Sequence, residues 1–293
     1  MDILTVTCTR DKYLMQLLAH SMNLFVTDTC IHYVVIEDND TSYGEWLTLL
    51  LPHYTRHQLK LVHDYNQQSV NDYGYYRQQQ IKLQMANNIF AEKYIVIDSK
   101  TIFFTPICMA DWPVVHGNSN IISINDLGLY KLWIDKVCTE ILNTPVPDIL
   151  LGPMTPFVIK TEIAKKLTSE VDVTDIIRYG FVPGYHEQPR GTWSQPSEFL
   201  LYTLYAMQTS TDIIPDDSKT LYWFCYDEEH GQYPIRDIEN SKLVFGIDRH
   251  FLKPQYLKHI GKYYFWLLDK GIDQKYLNLA WFGPLFNSTD RHW

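Results

Sequence analysis

The sequence predicts an α/β protein with a mostly parallel sheet flanked by helices, and three observations lead to that class. Short runs rich in β-branched and other apolar residues, Ile3-Leu4-Thr5-Val6, Tyr33-Val34-Val35-Ile36 and Tyr94-Ile95-Val96-Ile97, alternate with stretches whose apolar residues recur at helical spacing. The run Tyr94–Ile97 is apolar on consecutive positions, as a strand covered on both faces must be. The three runs lead into polar or charged residues, at Thr9-Arg10, Glu37-Asp38 and Asp98-Ser99-Lys100. Open α/β sheets bind their ligands beyond the carboxyl ends of the strands, so these three places are the first candidates for a site.

Bulk properties narrow the field. A chain of 293 residues that is 46% hydrophobic is long enough for one large core, and the expectation is a single domain, 1–293, with a C-terminal elaboration. Its formal net charge of -9 opposes a nucleic-acid partner, because tracking a phosphate backbone takes a basic surface. No apolar run reaches the roughly 18–20 residues of a membrane span, and the opening Met1-Asp2-Ile3-Leu4-Thr5-Val6 starts as a strand without a basic leader. A soluble, cytoplasmic protein is expected. Cys8, Cys30, Cys108, Cys138 and Cys225 are odd in number and include no C-x-x-C pair, so they read as small buried hydrophobes. The 14% aromatic content suits either a carbohydrate-handling surface, where sugar C–H faces pack on rings, or a large aromatic core.

Taken in order, Asp2–Thr7 alternates as a first strand, and Thr9-Arg10-Asp11 opens a helix whose apolar side is Tyr13, Leu17, Leu18, Ser21 and Leu24. Thr9 reads as a helix cap or a ligand contact, and Arg10 as a solvated first-turn residue or a phosphate partner. His32–Ile36 is the second strand. Glu37, just beyond it, is placed to accept a ribose or base hydroxyl, with loop solvation as the competing account of the acidic run Glu37-Asp38-Asn39-Asp40. A helix around Trp46–Leu51 stops at Pro52, and Gln58–His63 makes a third strand.

After a polar loop comes the helix beginning near Tyr75. Ile81, Met85 and Ile89 are four apart and form its buried stripe, while Arg77, Gln78 and Lys82 fall on another side. Tyr94–Ile97 follows and delivers Asp98, then Lys100, before Thr101–Phe104 closes at Thr105-Pro106.

A strand running into Asp98-Ser99-Lys100, then a short strand and a proline, resembles the nucleotide-sugar site of GT-A-fold glycosyltransferases with a degenerate Asp-x-Asp motif. The pattern Gly74-Tyr75-Tyr76-Arg77-Gln78-Gln79 through Lys82, just before that strand, is similar to a group of bacterial and phage glycosyltransferase-like proteins. The resemblance is best over about residues 1–110. It implies a nucleotide-binding half near 1–110 and an acceptor half over 111–293. It further implies a nucleoside diphosphate sugar as donor and a saccharide or other hydroxyl as acceptor. Thr9, Arg10, Glu37, Arg77, Gln78, Lys82, Asp98 and Lys100 become donor contacts by the same resemblance. Such enzymes commonly use Mn²⁺ or Mg²⁺ between the Asp-x-Asp acids and the diphosphate. Here Lys100 stands at the second acidic position and cannot ligate while protonated, so no metal ligand is assigned.

Beyond Pro106 the signals thin. Ile121–Ile124 is another strand with Asn125-Asp126 at its end, and an amphipathic stretch around Trp133, Ile134, Val137 and Ile141 runs to the break Thr144-Pro145-Val146-Pro147. Phe157–Ile159 leads into a helix at Thr161-Glu162, and the Gly- and Pro-rich segment from Tyr179 to Trp193 reads as a lid. Ser197-Glu198 opens a helix, either as cap and dipole-matching acid or, by the resemblance, as the acidic acceptor position. Glu198 and Asp126 are the catalytic candidates for the acceptor's proton. A late strand over Leu243–Ile247 ends in Asp248-Arg249-His250; by the resemblance His250 stands roughly where metal-using GT-A enzymes supply a third ligand, and Arg249 or His250 is otherwise a candidate for the diphosphate. The aromatic tail, including Tyr263–Leu268, reads as packing. The functional expectation is sugar transfer, possible without metal. The alternatives are a GT-A relative that binds without catalysing and, more weakly, a nucleotidyltransferase, which would need a carboxylate pair that the sequence does not offer.

Overall fold

A computed structural model describes residues 1–37, 43–64, 74–110, 112, 117, 121–153, 155–174, 196–209, 222–224, 244–246 and 264–286, some of them by backbone alone. The chain has the expected mixed α/β architecture, a mostly parallel sheet flanked by helices. Five strands, β1 (Asp2–Thr7), β2 (Ile31–Ile36), β3 (Gln58–His63), β4 (Lys93–Val96) and β8 (Phe157–Lys160), form a sheet in the order β3-β2-β1-β4-β8. β3 runs parallel to β2 and β4 parallel to β1, while β8 is antiparallel to β4. β1 reads as an alternating strand but is buried along its whole length, with Asp2, Thr5 and Thr7 buried as well as Ile3, Leu4 and Val6. The short β5 (Thr101–Ile102), β6 (Ile121–Ser123), β7 (Ile149–Leu151), β9 (Tyr222–Phe224) and β10 (Val244–Gly246) make two further sheets, β5-β10-β9 and β6-β7.

The chain divides into two compact units. One comprises Met1–Leu4, Asn66–Ile97 and Pro113–Thr220. In it Asp2, Ile3 and Leu4 register with Tyr94, Ile95 and Val96. Helices α3 (Gly74–Gln84), α5 (Thr161–Glu170) and α6 (Glu198–Thr209) pack on one another, and α4 (Lys131–Lys136) continues into a π-helical turn, Val137–Leu142. Phe157 stacks on Phe199 with ring centroids 4.2 Å apart, and the hydroxyl of buried Tyr202 accepts from the Lys160 amide at 2.9 Å. Those contacts tie α6 to β8.

The other unit comprises Thr5–Tyr65, Asp98–Trp112 and Leu221–Trp293. Its helix α1 (Lys12–Phe25) buries Leu14, Met15, Leu17, Leu18 and Ser21, but Leu24, assigned to the same apolar side, is 41% exposed in the last turn. Ser21 works as a polar pin, donating to the Leu18 carbonyl and accepting from the Phe103 amide. The expected strand Thr101–Phe104 is cut to two residues, and Phe103 and Phe104 are buried beyond it. Asp28 accepts from the amides of Met109 and Ala110 at 2.6 and 3.1 Å, fixing the chain that follows Pro106. α2 (Tyr43–Leu50), a 3₁₀ turn (Leu51–His53) and a last helix, Gln274–Phe286, complete the helical layer. Among the described residues no helix is long and apolar enough to cross a membrane.

Candidate functional site

The strand ends supply the first cluster. β1 stops at Thr7, and Thr9–Asp11 turns as a 3₁₀ helix whose Asp11 amide donates to the Cys8 carbonyl at 2.9 Å. Glu37 follows β2 directly, and its amide donates to the Thr7 carbonyl at 3.0 Å, which fixes Glu37 beside the end of β1. Ser99 is buried, and its hydroxyl donates to Asp11 Oδ2 at 2.9 Å. That bond ties the Asp98-Ser99-Lys100 turn to the loop after β1, while the turn itself closes with the Thr101 amide on the Asp98 carbonyl. Lys100 Nζ lies 3.8 Å from Asp98 Oδ2, both side chains about one-third exposed. A pair this open to water holds little energy.

This geometry bears on a divalent ion. Lys100, at the place where the resemblance would have a second acid, turns its ammonium toward Asp98, and no group of three or more His, Cys, Asp or Glu among the described residues could hold a metal. Among the described residues the donor set does not fit a divalent ion, and His250 lies outside them.

The helix residues form a second cluster in the other unit. The stripe Ile81, Met85 and Ile89 is buried as its spacing predicts. Lys82, assigned by the sequence to a different face, is buried too, at 9% exposure, as are Gln79 and Gln80. The reason is a partner far along the chain: Lys82 Nζ is 2.8 Å from Glu198 Oε1, and the ammonium lies 5.1 Å from the centre of the Phe199 ring. Sequence reasoning gave Lys82 and Glu198 separate roles, at donor and acceptor; the fold makes them one ion pair. Ser197 caps α6, its Oγ accepting from the Leu200 amide at 3.4 Å, so Glu198 sits in the first turn where the helix dipole favours an acid. Arg77 donates to Gln80 Oε1 at 3.1 Å and to Gln84 Oε1 at 3.4 Å along its own helix, with Gln78 half-buried beside it. Asp126 stands exposed in the 3₁₀ turn Ile124–Asp126.

The Arg10 side chain, Arg249, His250 and the segment read as a lid lie outside the described residues. One cluster escaped sequence reasoning altogether. His20 of α1, His53 and Tyr276 of the last helix meet ring to ring, with centroids 4.6 to 6.0 Å apart. They come from three separate elements, and no local pattern marks them.

A family model described as "Family of unknown function (DUF6492)" matches residues 3–214. The chain belongs to DUF6492. That span of the DUF6492 match takes in the Asp98-Ser99-Lys100 turn, Lys82 and Glu198. No curated protein sequence matches the chain. Among solved structures, the DUF6492 chain is similar to the apo form of mouse xyloside xylosyltransferase 1, at 10% identity and a TM-score of 0.46, over 85% of this chain and 98% of that one. It is similar to the apo bifunctional glycosyltransferase WbbM at 13% identity and TM-score 0.39, over 61% of this chain and 34% of that one. It is also similar to apo glycosyltransferase GlyE of Streptococcus pneumoniae TIGR4, at 10% identity and TM-score 0.38, over 71% and 43%. The chain thus spans about a third of WbbM and less than half of GlyE.

Proposed function

We propose that this protein is a GT-A-like glycosyltransferase that moves a sugar from a nucleoside diphosphate sugar to a hydroxyl acceptor without a divalent ion. The observation that carries the reading is the Asp98-Ser99-Lys100 turn, with Lys100 Nζ 3.8 Å from Asp98 Oδ2 and Ser99 anchored on Asp11. As the sugar leaves, negative charge builds on the diphosphate, and a positive group fixed there lowers the barrier. Lys100 supplies that charge through direct hydrogen bonds to phosphate oxygens, with Asp98 orienting it or holding the ribose. Thr9 and Glu37 contact the nucleoside, and Arg10, Arg249 and His250 add donors to the diphosphate.

Two residues change emphasis. Lys82 already has its charge met by Glu198, so its part is to hold α3 against α6 rather than to neutralise phosphate. Asp126, exposed, is the better of the two acids for taking the acceptor's proton, because a general base must be reached by the hydroxyl it serves.

The test is calorimetric titration of UDP, GDP and their sugars, with EDTA and with added Mn²⁺, followed by an assay for released nucleoside diphosphate. Affinity that survives chelator and falls at least tenfold in Lys100→Ala is expected. Affinity that climbs steeply with Mn²⁺, or is intact in Lys100→Ala, overturns the charge replacement. Binding without turnover on any hydroxyl acceptor identifies a binding protein instead.

A further inference from the structure

A cavity of about 540 Å³ lies among α1, α2, the 3₁₀ turn after it and the last helix, within a single unit of the fold. Its volume falls in the roughly 300–1,000 Å³ range of small-molecule sites. It is lined by Gln16, Glu45, Thr48, His53, Lys275 and Tyr276, with Leu49 and Pro52 as apolar wall. None of these belongs to the strand-end cluster.

Gln16 supplies the clue to a ligand. It is only 8% exposed, and its Oε1 is buried with no hydrogen-bond partner among the described residues. Buried acceptors are rarely left unmet in native proteins, so a donor from outside the chain is the natural complement. The remaining lining restricts that donor's chemistry. Lys275 is the only cation and Glu45 the only carboxylate among the lining residues, so the wall offers no net charge to a phosphate or to an organic cation. His53 adds none near neutrality: burial, then the nearby His20 and Lys275, lowers it to about 4. A neutral imidazole both donates and accepts, as a hydroxyl does. Tyr276 brings an aromatic body to the same wall, and Leu49 and Pro52 suit C–H surface.

We infer that this cavity is a binding site for a neutral saccharide, a mono- or disaccharide whose hydroxyls donate to Gln16 Oε1 and to the Glu45 carboxylate while its C–H face packs on Tyr276. The site does not rest on the proposed donor site and stands if that reading fails.

The test titrates the full chain with glucose, galactose, xylose, N-acetylglucosamine, maltose and lactose, followed by saturation-transfer NMR and calorimetry, with glucose 6-phosphate as the charged comparison. At least one neutral sugar is expected to bind, about tenfold more weakly in Gln16→Leu and unchanged in Asp98→Asn. Glu45→Gln, at a side chain 56% exposed, gives a second reading if Gln16→Leu does not fold. The inference is overturned if no neutral sugar binds at tens of millimolar. It is equally overturned if glucose 6-phosphate binds better than glucose, if neither cavity variant weakens binding, or if Asp98→Asn removes it as well.

Discussion

Removing the Glu198 carboxylate tests whether the Lys82–Glu198 pair is structural. Nζ and Oε1 are 2.8 Å apart, and the two side chains are 11% and 4% exposed. In Glu198→Ala the Lys82 ammonium keeps its burial but loses its counter-charge, leaving the Phe199 ring, at 5.1 Å, as a weak substitute. Breaking one side of a buried pair costs about 3–5 kcal/mol. At roughly 2–4 °C per kcal/mol for a protein of this size class, the thermal midpoint is expected to fall by about 6–20 °C. The double variant Lys82→Met/Glu198→Leu removes both charges and refills the space with apolar atoms, so it is expected to be more stable than Glu198→Ala alone. Circular dichroism during heating and urea titration of the full chain reads both effects. A loss below about 1 kcal/mol in Glu198→Ala, or single-variant losses that simply add in the double, refutes the argument.

Three further outcomes follow from particular contacts. His32 is fully buried between the Tyr54 hydroxyl at 2.6 Å and the Thr5 hydroxyl at 3.0 Å, and burial, aided by nearby His57, lowers it from 6.5 to about 3. The unfolded chain therefore takes up a proton below about pH 6.5 that the folded chain refuses. The stability from neutral His32 is complete above that pH and is lost as pH falls toward 3, by about 2 kcal/mol between pH 6.5 and 5. His32→Leu is expected to be less stable at pH 8 but to lose less on acidification; an acid limb unchanged from the parent's counts against it. Asp28→Ala removes a carboxylate that accepts from two amides and is expected to cost about 2–3 kcal/mol by urea unfolding, against near-parental stability if the bonds are incidental. Ser197→Ala unmeets the Leu200 amide at the start of α6, with an expected loss of about 1 kcal/mol, while Ser197→Asp, which also caps, is expected to stay near parental.

The central sheet was legible because its evidence is local. A run such as Tyr94–Val96 carries its own strand signal, and the charge at its end is read by stepping to Asp98. The antiparallel edge was not legible, since Tyr94 pairs with Ile159 across a long intervening stretch that no short-range pattern spans. The same limit cut the expected strand after Lys100 to two residues: Phe103 and Phe104 have strand propensity, but their burial is met by packing, with Phe104 edge-on to Trp266 at 4.9 Å.

Lys82 and Glu198 show what periodicity leaves out. Spacing separated Lys82 from the Ile81, Met85 and Ile89 stripe, and a lysine apart from an apolar stripe reads as solvated. The reading holds only where water covers the other faces of the helix. On α3 the run Gln79 through Leu83 is buried on consecutive positions, so the helix is enclosed and its polar residues must find partners within the protein. The partner of Lys82 lies 116 residues away, in a Ser-Glu step that is a helix start whether or not its acid is paired. The cap at Ser197 was therefore readable from the segment itself. The occupation of Glu198 depended on α3 and α6 meeting, and a residue engaged that way is available for chemistry only if the pair opens.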